Sequence, residues 1–239
     1  MKNTIFSKVL AEFIGTFFLV LTVVGSGIMG ENLSDNLALT LLGNSIATGA
    51  ILFVIITMFI NISGAYFNPV VIISDYINGK ISLNISTIFI LAQIIGGVLG
   101  CLLSNIYFEK EIFEWSTNQR YSFSTFISEI VATFGLILTI IIIGAKNKEK
   151  LAVAVALYIT AGYWFTSSTS FANPAVTIAR MFTDTFTGIH PASVLYFILA
   201  QVIGALVASF VGKFFILSLI HISEPTRRTP ISYAVFCLK

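Results

Sequence analysis

Two tripeptides, Asn68-Pro69-Val70 and Asn173-Pro174-Ala175, hold the most definite local chemistry in the chain. Asn followed by Pro starts a helix well. The Asn side chain accepts from free N–H groups of the first turn, and Pro suits that turn because the N–H it lacks would have no partner there. A helix N-terminus also carries about half a positive elementary charge. Two such ends facing each other at the middle of a membrane would raise the energy of any cation, including a proton-bearing chain of water. The Asn amides could donate hydrogen bonds to a passing oxygen. The chemistry this spacing predicts is recognition and passage of a neutral polar solute.

Bond-making chemistry has little support. No Ser/His pair, paired Asp or His-rich metal motif falls in the apolar segments, and His190 and His221 are the only histidines. Cys101 and Cys237 give neither a disulfide framework nor metal-ligand spacing. An enzyme is excluded, and no cofactor or metal is expected. Glu12 and Glu129 lie inside apolar stretches, where a carboxylate is costly and normally faces the protein interior. They read as structural hydrogen-bond acceptors.

These residues need a membrane-embedded frame. The 239 residues are 56% hydrophobic and only 10% charged, with a mean hydropathy of +0.95; soluble domains carry about 25% charge. A net charge of +2 gives no reason to expect nucleic acid as a partner. Apolar runs place spans at about 9–28, 37–60, 84–107, 123–145, 151–168 and 192–217. The first is long enough to span and contains Glu12, so no cleavable signal is expected. The pieces at 69–77 and 174–183 are too short to cross a bilayer and read as re-entrant half-helices. Such backbone is tolerated at membrane depth only beside protein or a water-filled cavity.

The chain repeats itself. Residues 11–17 resemble 128–134, and Ala92-Gln93-Ile94-Ile95-Gly96 resembles Ala200-Gln201-Val202-Ile203-Gly204. Each half has three spans, so the second enters from the opposite face and the repeats, about 5–107 and 122–217, are inverted. Lys2, Lys8, Lys80, Lys146, Lys148 and Lys150 share one side; Glu31, Asp35, Glu109, Glu111 and Glu114 share the other. Lysine marks the cytoplasmic side, which places both termini inside. One domain is expected over 1–217. Residues 218–239 resemble a translated sequencing-library adapter and are set aside as a non-native tail.

The Glu-x-x-x-Thr-Phe pattern at Glu12 and Glu129, the segment Ser63-Gly64-Ala65-Tyr66-Phe67-Asn68-Pro69-Val70, Asn173-Pro174-Ala175 and both Ala-Gln-x-Ile-Gly segments together resemble the major intrinsic protein family, the aquaporins and aquaglyceroporins, over about 5–217. The resemblance implies an all-α right-handed bundle of six transmembrane helices plus two re-entrant half-helices. It further implies a homotetramer with one pore per subunit, seated in the lipid of a plasma membrane. Glu12 and Glu129 would brace the loops leading into the half-helices. Val70 replaces the usual Ala and is expected to narrow or reshape the pore centre.

Family members usually have Arg after the second Asn-Pro-Ala; here it is Val176. Ungapped counting from the Asn residues gives the other filter positions as Thr48, Ala161 and Ser170, with Gly162 or Tyr163 as alternatives to Ala161. This filter is wide and lacks Arg. Arg180, one turn further on, reads first as an i,i+4 ion pair with Asp184 and second as a partial replacement for the lost positive potential. Residues 163–180 resemble a bacterial subgroup linked to arsenic resistance, which implies passage of trivalent arsenicals as neutral hydroxides beside water and glycerol-like polyols. A secondary transporter, also built from inverted repeats with broken helices, is the alternative. Only Glu12 and Glu129 could couple ions in such a protein. Gly96, Gly97, Gly100, Gly204 and Ala205 would allow close helix packing within the subunit or between subunits.

Overall fold

The computed structural model describes residues 4–223, with side chains for 4–216. Eight α-helices run in the order α1 (Ile5–Leu33), α2 (Leu37–Phe59), α3 (Pro69–Ile77), α4 (Leu83–Tyr107), α5 (Phe123–Lys146), α6 (Leu151–Phe165), α7 (Pro174–Ala179) and α8 (Pro191–Ser223). No strand occurs among the described residues.

Start signals in the sequence account for the helix ends. The Thr4 side chain caps α1 by accepting from the Ser7 N–H, and Asn36 caps α2 by accepting from Ala38. Ser122 and Thr125 cap α5 reciprocally, each satisfying a backbone donor that the first turn leaves free. Five helices, α1, α2, α4, α5 and α8, are long and apolar enough to cross a membrane. α6 has 15 residues, about 22 Å of helix. A 3-10 turn at Lys148–Lys150 precedes it. The expected end near residue 168 is too late, because the chain becomes extended at Thr166 to form the loop before α7. Likewise α7 stops at Ala179, and a 3-10 turn, Arg180–Phe182, completes the half-helix. α8 runs past the expected boundary at 217. Residues 224–239, where most of the expected tail falls, lie outside the described residues.

The two halves pack alike. α1 lies against α2 and α4, α5 lies against α6 and α8, and α2 meets α6 where the halves join. The half-helices α3 and α7 each touch both α4 and α8. Glycines permit the closest crossings. A Cβ at Gly96 or Gly100 would overlap the Phe13 or Phe17 carbonyl oxygen of α1, and one at Gly204 would overlap the Ile130 carbonyl of α5. Gly97 faces Val20, Ala175 and Ala179. These small residues therefore serve packing inside this subunit. Phe18, Met58, Leu99, Leu157, Leu199 and Phe210 remain exposed on the outside, where a lipid surface would cover them.

Candidate pore

The site is built outward from two buried carboxylates. Glu12 Oε1 accepts from the Ser63 hydroxyl at 2.5 Å and the Tyr66 N–H at 3.0 Å. Its Oε2 accepts from the Phe67 N–H at 2.7 Å and Gln93 Nε2 at 2.7 Å. Glu129 repeats the set. Its Oε1 takes the Ser168 hydroxyl at 2.6 Å and the Phe171 N–H at 2.9 Å. Its Oε2 takes the Ala172 N–H at 2.9 Å and Gln201 Nε2 at 2.7 Å. Each oxygen thus accepts two bonds, the pattern of an ionised carboxylate. The recurring Ala-Gln segments acquire a role here. So do Ser63 and Ser168, which each lie five residues before their Asn; that equal spacing was the available sequence signal.

The loops held by these glutamates adopt costly backbone. Ala65 and Phe67 in one, and Thr169, Ser170 and Ala172 in the other, have φ between 45° and 61°. Each such non-glycine residue costs about 1–2 kcal/mol. The glutamates offset that cost by binding successive N–H groups. In a trans peptide the carbonyl points opposite to the N–H. The carbonyls of Ala65, Tyr66, Ser170 and Phe171 therefore point away from the glutamates, and these same four residues line a central cavity.

Where the loops meet, the two asparagines cap their own helices and tie the halves together. Asn68 Oδ1 accepts from the Val70 N–H at 3.1 Å, while its Nδ2 donates to the Ala172 carbonyl at 2.8 Å. Asn173 Oδ1 accepts from Ala175 at 3.0 Å and Val176 at 3.3 Å, and its Nδ2 donates to the Phe67 carbonyl at 2.8 Å. An amide nitrogen has two hydrogens, so each Asn keeps one for the cavity that it lines.

That cavity has a volume of about 660 Å³. Its polar strip is the loops and asparagines. Facing it is an apolar wall that includes Leu19, Val23, Leu52, Ile56, Leu136, Ile140 and Ile159. One end reaches Asp75, Lys80, Lys148 and Glu149, and the other reaches Thr48, Tyr163, Val176 and Arg180. A further hollow of about 640 Å³ has Glu31, Thr117, Arg120 and Asp184 in its wall.

Three of the four expected filter residues line the cavity: Thr48, Ser170 and Val176. Ala161 does not. It is exposed on the outside of α6, and Tyr163 occupies the cavity wall, its hydroxyl 3.0 Å from Thr48 Oγ1. Two residues along a helix turn the side chain by about 200°, so counting without regard to where α6 ends selects the wrong face. Gly162 is buried against Ser170. Val70 is also displaced from expectation. It is fully buried with Val71, Ile137, Ala205 and Ala208 and is not among the cavity-lining residues, so it does not narrow the pore centre. Pro69, Pro174 and Ala175 are buried off the cavity as well.

Arg180 departs most from its first reading. It makes no ion pair with Asp184, whose carboxylate accepts from the Thr117 N–H at 2.8 Å and the Thr117 hydroxyl. The helix ends before Asp184 can come round to Arg180. Instead Arg180 is 2% exposed, donates from Nε to the Thr187 carbonyl, and has its guanidinium carbon 3.5 Å from the Phe171 ring centroid. Arg120 lies over the same ring at 5.2 Å. Burial pushes the Arg120 guanidinium below its ordinary value, opposed by the nearby Glu129 and Tyr163. Nothing in the sequence around Arg120 signals this placement.

The sequence matches the model of the family described as "Major intrinsic protein" over residues 1–152 and 142–232. It is 43% identical over 201 residues to the aquaglyceroporin AqpS of Rhizobium meliloti (strain 1021), covering 84% of this chain and 86% of that one. It is 35% identical over 137 residues to aquaporin TIP1-2 of Musa acuminata, covering 55% and 54%. The crystal structure of the aquaglyceroporin from Plasmodium falciparum aligns with a TM-score of 0.73 at 22% identity, covering 92% of this chain and all of that one. At that identity the likeness speaks for the fold.

Proposed function

This chain belongs to the major intrinsic protein family, and from that premise we propose that it is a passive membrane channel for small neutral hydroxylated solutes. Water and glycerol-like polyols are its solutes, with trivalent arsenicals as neutral hydroxides a further member of the class. The observation that carries this reading is the two-sided cavity. A hydroxyl group needs both a donor and an acceptor. The free Asn68 and Asn173 hydrogens supply the first, and the carbonyls turned away from Glu12 and Glu129 supply the second. The carbon backbone of a polyol meets the apolar wall opposite. An ion in the same place loses its water without an opposite charge to replace it, and a cation also faces the N-terminal ends of α3 and α7.

The glutamates favour a channel over an ion-coupled transporter. Each already accepts four hydrogen bonds, which leaves neither free to bind and release a coupling ion. The described carboxylates that do line the cavity, Asp75 and Glu149, sit at the lysine-bearing mouth. That mouth, with Lys80 and Lys148, is assigned to the cytoplasm on the positive-inside bias, which puts both termini inside a plasma membrane. Assembly as a homotetramer is carried over from the family.

Thr48, Tyr163, Ser170 and Val176 form the filter in this reading, and Val176→Arg tests it. In proteoliposomes the variant should keep water flux and lose glycerol and arsenous acid flux by about tenfold or more, the effect of about 1.4 kcal/mol on the barrier. Unchanged glycerol flux would remove Val176 from the filter.

A further inference from the structure

We propose that Arg180 is a specificity-determining residue of this pore. Displaced by one helical turn from the position after the second Asn-Pro-Ala, it supplies the fixed cation and the hydrogen-bond donors of the outer constriction. The proposal rests on the channel reading above.

The distinction between a structural and a solute-facing arginine can be drawn within this protein. Arg120 and Arg180 both anchor the segment 186–188, whose three successive carbonyls accept their N–H groups: Phe186 from Arg120 Nη2 at 2.9 Å, Thr187 from Arg180 Nε, and Gly188 from Arg120 Nε at 2.8 Å. Arg120 spends both its Nε and an Nη on that segment. Arg180 uses Nε alone; among the described residues its Nη groups have no hydrogen-bond partner and no carboxylate pairs with it. A guanidinium has five N–H donors, so four remain, on a side chain that is 2% exposed yet lines the cavity beside Thr48, Tyr163 and Val176.

Arg180 is also held in place. Phe171 covers one face of its guanidinium at 3.5 Å, an attractive contact. Phe171 in turn is fixed by its N–H on Glu129 and by an edge contact with Phe197 at 5.1 Å. The backbone of Arg180 lies four residues beyond Val176, just past the end of α7, and its guanidinium turns back onto Phe171 at the cavity wall. A solute passing this end of the cavity therefore meets the donors together with the Thr48–Tyr163 pair. Cations meet a positive charge that no carboxylate pairs directly, while a solute with several neutral hydroxyl oxygens is offered four N–H groups.

The test uses uptake of the guanidinium ion, a small, weakly hydrated and permanently charged probe, into proteoliposomes of the full chain. The variants are Arg180→Gln, Arg180→Lys and the double variant Arg180→Gln with Val176→Arg. For a cation passing within about 6 Å of the guanidinium, removing the unit charge at an effective dielectric constant of about 20 should raise uptake by up to about a hundredfold. The expected pattern is leakage through the Gln variant and exclusion by both the Lys variant and the double variant. A purely structural Arg180 would not be rescued by an arginine at 176. Exclusion by a folded Gln variant, or failure of the double variant to restore exclusion, overturns the proposal. If the Gln variant does not fold, the Lys variant decides. It must exclude the probe yet shift the glycerol-to-water flux ratio severalfold, and an unchanged ratio overturns the proposal. Water and glycerol flux of the parent in the same vesicles tests the channel reading separately.

Discussion

Glu129 offers a perturbation whose size can be worked from its four donors. In Glu129→Gln one carboxylate oxygen becomes an NH2 group. If the amide oxygen stays with the Ala172 N–H and Gln201, the NH2 faces Ser168 and Phe171. The Ser168 hydroxyl can rotate to accept, but the Phe171 N–H cannot. One buried donor is left without a partner, at about 1–3 kcal/mol. Glu129→Ala strands both the Phe171 and Ala172 N–H groups, at about 2–6 kcal/mol. The loop's left-handed residues Thr169, Ser170 and Ala172 then lose what holds them. Thermal unfolding of the detergent-solubilised protein, followed by circular dichroism, reads the difference. At about 2–4 °C per kcal/mol for a chain of this size, the Gln variant should melt about 2–12 °C lower and the Ala variant about twice as far. Glu12→Gln should match Glu129→Gln, because Ser63 can rotate and Phe67 or Tyr66 is stranded in the same way. Equal melting of the Gln and Ala variants, or no effect from either, would refute the bracing argument.

Gly96→Ala and Gly204→Ala should each destabilise by about 1–3 kcal/mol in the same melting assay, since their Cβ atoms meet the Phe13 and Ile130 carbonyls. Gly43→Ala, with nothing within 4 Å of its Cβ, should be neutral or gain up to about 1 kcal/mol. Asn68→Asp keeps the acceptor that caps Val70 but loses the donor to Ala172 and puts a negative charge between the half-helices. It should lower glycerol flux and, combined with Arg180→Gln, raise guanidinium uptake above that of Arg180→Gln alone; no such increase would contradict the assigned role of the half-helix ends.

The features legible in the sequence are those fixed by local chemistry or by internal repetition. Asn-Pro states a helix start by itself, so the starts of α3 and α7 follow directly. Glu12 and Glu129 stand out because a carboxylate in an apolar stretch must find donors, and the repeated Ala-Gln segments mark one donor in each half without revealing it. What the sequence hides is decided where helices stop. α6 gives way to extended chain at Thr166, so a fixed count back from Asn173 lands on Ala161 rather than Tyr163. α7 stops at Ala179, so Arg180 and Asp184 never share a helix face despite their spacing. Val70 follows Asn68 and Pro69 in sequence, yet the first turn of α3 points it at Ile137 and Ala208. Arg120 reaches Phe171 only through the packing of two distant loops.

The central claim, passive conduction of neutral hydroxylated solutes, is tested most directly by stopped-flow flux through proteoliposomes containing the parent chain. Water, glycerol and arsenous acid would be compared with and without imposed proton and sodium gradients. Glycerol flux that rises linearly with its concentration difference and ignores both gradients is the predicted result. A saturable flux that either gradient drives uphill would contradict the account and make the protein a transporter.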